Sequence, residues 1–169
     1  MTAIKWTNAM SVGVERLDRD HQMLIEMINR IASADDSEAT RRRVIPEVLV
    51  MLIAYTVFHF QREEKVMQAM AYPELDIHRE EHWTLTREVH LLQRRFSERP
   101  DSISREEVLT FLTEWLNHHI LLQDMAYKPY CEDRQEAQQA AVSHGEFDLA
   151  KLLNPASAAG EASGTPAAE

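Results

Sequence analysis

The chain has 169 residues, 27% of them charged, and a formal net charge of −10. That length suits one domain with a substantial core, and an acidic surface repels nucleic acid and anionic membranes. No run approaches the ~18 apolar residues of a membrane span, the N-terminus lacks the basic and apolar regions of a secretory signal, and the single cysteine, Cys131, cannot close an internal disulfide, so a reducing cytoplasm is the expected compartment.

Only four glycines and long stretches without turn signals argue for an all-α fold. Residues 1–14 read as an extended arm, with Trp6 covering the core from outside. The first helix is expected from about Glu15 to Ala32, with the apolar stripe Leu17, Leu24, Ile28 and Ile31 and with His21 filling the gap in it. The stretch 33–43, with its three arginines, reads as a loop and a solvated patch. Pro46 is expected in the first turn of the second helix, where its missing N–H costs nothing, and Ala71-Tyr72-Pro73 ends that helix near Met70. The third helix is expected from about Glu74 to Ser97. Its stripe Leu75, His78, His82, Leu85, Val89, Leu92, Phe96 alternates by three and four, as facing helices in a bundle require. Ser102 or Ser104 can cap the fourth helix, which carries Val108, Leu112, Trp115, His119 and Leu122 inward and stops near Pro129.

Four such helices with short connections predict an antiparallel up-down four-helix bundle with an N-terminal arm and a C-terminal extension. Residues 1–130 are expected to form the bundle and 131–153 a short helical extension. Within it, 132–144 are helical, Gly145 is the stop, and Phe147, Leu149, Leu152 and Leu153 form an apolar patch. Residues 154–169, rich in alanine, glycine and proline, are expected to be disordered. The assembly expected is a monomer or weak oligomer.

Metal-binding side chains recur along the inner stripes: His21, His59 with Glu63, His78 with His82, and His119 with Asp124. The pairs 59/63 and 78/82 are four apart and share a helix face. So many polar groups are expensive to bury unless something binds them. Of the adjacent His118 and His119, only His119 follows Trp115 and Leu112 at stripe spacing, which leaves His118 at the surface. Asp124 lies about 140° from His119 on an ideal helix, so spacing alone does not select it. It does follow Leu116 and Ile120 at steps of four.

The segments Trp6–Gly13–Asp18–His21, HFQREE (59–64), YPELDIHREEH (72–82) and WLNHHILLQDMAY (115–127) together resemble the hemerythrin family in its bacterial form. The resemblance covers about residues 6–130. It implies two iron ions with a bridging oxo or hydroxo group, His78, His82 and His119 on one iron, His21 and His59 on the other, and Glu63 and Asp124 bridging both. One coordination position then stays open, on the iron with two histidines, where O₂ can bind. The family's O₂-site positions correspond here to Leu24, Phe60, Trp115, Leu116 and Ile120, which are core residues in any reading.

The expected function is therefore reversible O₂ binding for carriage, storage or delivery, and not enzymatic turnover. Oxygen-activating di-iron bundles use paired Glu-x-x-His motifs, and this chain has none. The alternative is a sensor of O₂, redox state or nitric oxide acting through a protein partner on the C-terminal extension, or iron or peroxide handling at the same centre. HREEH also fits an inverted zinc-protease motif with Glu81 as base, but that reading leaves His21, His59, His119, Glu63 and Asp124 unused.

Overall fold

Helix α1 spans Glu15–Ser33, α2 Glu38–Ala69, α3 Leu75–Glu98 and α4 Arg105–Glu114. The last of these runs on through a π-helical stretch, Trp115–Asp124, into α5, Met125–Cys131. A short helix α6, Gln135–Val142, follows. The computed structural model describes residues 3–35 and 37–142, so Gly145, the apolar patch at 147–153 and the tail lie outside the described residues. Long helices joined by short turns pack α2 against α1 and α3, and α1 against α4, as a four-helix bundle.

Three local expectations need correction. Helix α2 begins eight residues before Pro46 because Ser37 caps it, accepting the Thr40 N–H at 3.2 Å. Pro46 thus lies inside the helix and removes one intrahelical hydrogen bond, a loss offset by burial of Val44, Ile45, Val48 and Leu49 around it. Pro129 likewise lies inside α5, which continues to Cys131. Finally, α2 is long and apolar enough to cross a membrane by length and composition, contrary to the sequence expectation. More than half of its most apolar window is buried, and α2 is the central helix of the bundle core. At the fourth helix, Ser104 is the cap and accepts the Glu107 N–H at 3.0 Å.

The turn from α2 to α3 explains how His78 and His82 are aimed. Ala71 adopts φ 52°. The Ala71 N–H reaches the Gln68 carbonyl at 3.2 Å and the Tyr72 N–H reaches Met67 at 2.9 Å. This is a Schellman stop with alanine in glycine's usual place, and it buries Tyr72 at the start of the return.

At the same end of the bundle, α6 completes α1. Val14 at the α1 N-cap offers no side-chain acceptor. Gln138 substitutes, accepting the Glu15 N–H at 3.1 Å and donating to the Gly13 carbonyl at 2.8 Å. Gly13 has φ +82°, and a Cβ there would lie 3.0 Å from the Glu132 Cα. Glycine is what lets the arm pass under the α5–α6 turn. Trp6 is partly buried against the core, as expected.

Two apolar clusters result. The larger holds Leu24, Ile28, Tyr55, Phe60, Val89, Leu112, Trp115, Leu116 and Ile120 among others. The smaller, at the α6 end, holds Leu17, Val66, Met67, Tyr72, Tyr127, Cys131, Ala137 and Ala141. On every long helix, the polar site residues fall in sequence between members of one cluster and members of the other.

Candidate metal centre

That polar layer is built from all four long helices. α1 supplies His21, α2 supplies His59 and Glu63, α3 supplies His78 and His82, and the π stretch supplies His119 and Asp124, all buried. An i→i+5 ladder brings residues five apart toward one face, where an α-helix would separate them. The π stretch therefore carries Asp124 inward with His119. The same change of phase turns Leu122 outward, where it is 58% exposed, so its expected inward place is a correction. His118 is exposed.

The seven side chains form two groups in which the candidate donor atoms lie within 4.8 Å of one another. One is Glu63, His78, His82 and His119. The other is His21, His59, Glu63 and Asp124. Glu63 belongs to both. Asp124 reaches across as well: Oδ2 lies 3.3 Å from His21 Nε2, while Oδ1 lies 3.3 Å from His78 Nε2 and 3.4 Å from His119 Nε2. Glu63 divides its oxygens differently. Oε2 faces His82, His78 and His59 at 2.8, 3.5 and 3.7 Å, and Oε1 accepts the Tyr127 hydroxyl at 2.5 Å. Glu81, the base of the protease reading, belongs to neither group.

The donor set fits a cation better than it fits itself. His21, His59, His78 and His119 each have a buried Nε2 without a hydrogen-bond partner, and both Asp124 oxygens are likewise unpartnered. Such groups cost roughly 1–3 kcal/mol each when left unsatisfied. Burial opposes charge throughout, but the charges partly compensate. For His78, the nearby Asp124 and Glu63 override burial and raise the ring to about 10. His21 and His82 are also raised, against burial, by Asp124 and Glu63 respectively. His119 is dominated by burial and falls to about 4, and His59 is lowered for the same reason. Burial pushes the Glu63 carboxyl up, yet His59, His78 and His82 hold it well below the usual range.

Behind the centre stand groups that sequence reasoning missed. Asp20 approaches His59 Nδ1 at 3.2 Å and receives a bond from the buried Arg62. Glu64 approaches His82 Nδ1 at 2.8 Å and accepts from Arg79 Nε at 3.2 Å. Both pairings cross between helices, so no helical spacing reveals them. Toward the larger apolar cluster, Phe60 stacks on His82 with ring centroids 3.8 Å apart. Tyr55 packs on His59 at 4.4 Å and on Trp115 at 5.6 Å. Leu24, Leu116 and Ile120 are buried in that same cluster.

The sequence profile of the family described as "hemerythrin HHE cation binding domain" matches residues 12–131. Bacteriohemerythrin of Stenotrophomonas maltophilia (strain R551-3) is 32% identical over 127 residues, covering 75% of this chain and 80% of the relative. Bacteriohemerythrin of Methylococcus capsulatus (strain ATCC 33009 / NCIMB 11132 / Bath) is 31% identical over 131 residues, 76% of this chain and 97% of the relative. A solved structure of wild-type hemerythrin superposes with a TM-score of 0.65 at 28% identity, covering 76% of this chain and 97% of that one.

Proposed function

The chain belongs to the hemerythrin family, and from that membership we propose that its buried polar layer holds two iron ions and binds O₂ reversibly, as a carrier or store and not as an enzyme. The supporting observation is the pair of donor groups that share Glu63 and are spanned by Asp124. His78, His82 and His119 would hold one ion, His21 and His59 the other, and the two carboxylates would join them. Five imidazoles and two carboxylates are donors that iron accepts, and the choice of iron rests on the family. When bound, the iron pair supplies the O₂ affinity.

The protein's own part is to hold these donors and keep the centre dry. Leu24, Phe60, Trp115, Leu116 and Ile120 exclude water and larger molecules from the side facing the main core. The phenols of Tyr55 and Tyr127 are pushed well above their usual range, first by burial and then by the surrounding carboxylates, so Tyr127 stays a donor to Glu63. Neither phenol is poised to take a proton at neutral pH.

An anaerobic protein loaded with iron and titrated with O₂ tests the reading. The optical change should saturate and reverse under vacuum, with two irons per chain by metal analysis. One tightly held zinc, or a spectrum that never reverses, would sink it.

The titrations of the rings add a pH test. A cation must displace the proton from His78, and from His21 and His82 where these carry one. Metal affinity should therefore rise by at least about tenfold per pH unit below pH ~10. The sign for the metal-free fold is opposite. A ring raised from 6.5 to about 10 contributes stability that is fully present below pH ~6.5 and lost through about 10. Cobalt titrations and thermal melts of metal-free protein at pH 6 and 9 read both slopes. An affinity independent of pH would contradict the proton displacement.

One observation favours a sensor as the second reading. Tyr127 links Glu63 to the small cluster that α6 helps to build, and α6 lies beyond the residues matched by the family. A change at Glu63 could reach a protein partner on that extension. A pull-down from lysate whose catch changes with O₂ would support it.

A further inference from the structure

The two carboxylates behind the histidines are matched in kind but not in setting. Asp20 and its partner Arg62 are sealed, each with 2% side-chain exposure. Glu64 and Arg79 are not, with 26% and 41%. An ionised carboxylate can only accept hydrogen bonds. Each therefore requires the proton on Nδ1 of its ring, leaving the Nε2 lone pair turned to the donor groups. A carboxylate behind a ring also makes that ring a stronger donor.

We propose that Glu64, clamped by Arg79, is a positioning residue that orients His82 and sets its donor strength, and that it is the point at which surface chemistry reaches the metal centre. This rests on the reading that the polar layer binds metal. Asp20 plays the matching role for His59 from inside. Arg79 reinforces the arrangement by spanning from Glu64 to Asp76, whose carboxylate it meets at 3.2 Å. The chain thus runs from solvent through Arg79 and Glu64 to His82, with hydrogen bonds of 3.2 and 2.8 Å, and His82 Nε2 and Glu63 Oε2, 2.8 Å apart, are donors that a cation would share. Of the two ring-backing carboxylates, only Glu64 can be perturbed from outside without opening the core.

Glu64→Gln is the informative variant. Its amide oxygen still accepts the Nδ1–H, so shape and the bond to His82 survive while the charge, and with it the acceptor for Arg79 Nε, is lost. Asp20→Asn would instead leave Arg62 as a buried charge without its partner, and would confound metal binding with folding. With cobalt(II) as the probe, Glu64→Gln should bind about tenfold more weakly than wild type, within the usual range for such partners. In iron-loaded protein held at a fixed potential, the ratio of oxidised to reduced metal should fall about tenfold. Arg79→Gln keeps the carboxylate and should do less on both counts. The melting temperature of metal-free Glu64→Gln should match wild type. If Glu64→Gln binds cobalt and poises iron as wild type does, Glu64 is only a surface ion-pair partner and the proposal is overturned. A drop in metal-free stability large enough to explain the weaker binding overturns it too. Wild-type protein that takes up no cobalt would instead defeat the metal-centre reading itself, and this inference with it.

Discussion

Replacing His119 with alanine should strip metal from the protein, whereas replacing its neighbour His118 should change almost nothing. The two are adjacent in sequence and opposite in setting. His119 is buried and faces Asp124 at 3.4 Å, and it completes a group with Glu63, His78 and His82. Its loss leaves that group with one neutral donor fewer. Because burial holds its pKa near about 4, it is already free of a proton at neutral pH, when its lone pair is available to a cation. Losing such a ligand should cost well over the 10–100-fold typical of an outer partner. Metal content should fall sharply in His119→Ala and stay near two per chain in His118→Ala, measured on proteins prepared side by side. The reverse ranking would mean that the π stretch presents the other histidine.

How much of this was legible beforehand depends on whether the deciding contact was local. On α3 the steps of three and four from Leu75 to Phe96 were sufficient, and all seven stripe residues are buried or half-buried. The i,i+4 pairs on α2 and α3 also face inward, as a regular helix requires. The fourth helix was harder. On ideal α geometry, His119 and Asp124 diverge while Leu122 points inward. The structure resolves this with ten residues of π-helix, which buries Asp124 with the rings and which no helical spacing in the sequence announces. Asp124 had therefore been open on spacing, and only the family resemblance singled it out.

The rest depended on contacts between distant segments. Asp20 meets His59 and Arg62 across 39 and 42 residues, and Glu64 meets His82 across 18. In sequence, Arg62 and Glu64 are ordinary charges of the HFQREE segment. Gln138, which caps α1 from 123 residues away, carries no signal at all. The early start of α2 is different, because Ser37 was a readable cap. Pro46 masked it, since proline near a helix start is the commoner arrangement.

The second large effect concerns how the centre is kept dry. Leu116 and Ile120 are one turn apart on the π stretch, buried in the cluster that also holds Trp115 and Phe60. Tyr55 and Phe60 of this cluster pack on His59, with ring centroids 4.4 and 5.9 Å apart, so the cluster forms the wall beside the two-histidine ion of the proposed O₂ site. Shortening Leu116 to alanine should open a cavity in that wall beside the buried polar donors, which give entering water and small anions the partners that an all-apolar cavity lacks. Iron content should stay near two per chain, because no donor is lost, while autoxidation accelerates. Stability should also fall by roughly 2–5 kcal/mol, the usual range for a buried leucine cut to alanine. The control must create a similar cavity elsewhere. Leu92 is buried in the same cluster but ten residues beyond His82 on α3, roughly 15 Å along the helix axis. Leu92→Ala should lose stability in the same range and autoxidise at the wild-type rate. If both variants autoxidise equally fast, general loosening accounts for the effect and Leu116 is not a barrier. If Leu116→Ala alone is fast, the barrier is local, and added azide should reach the iron faster in that variant than in wild type or Leu92→Ala.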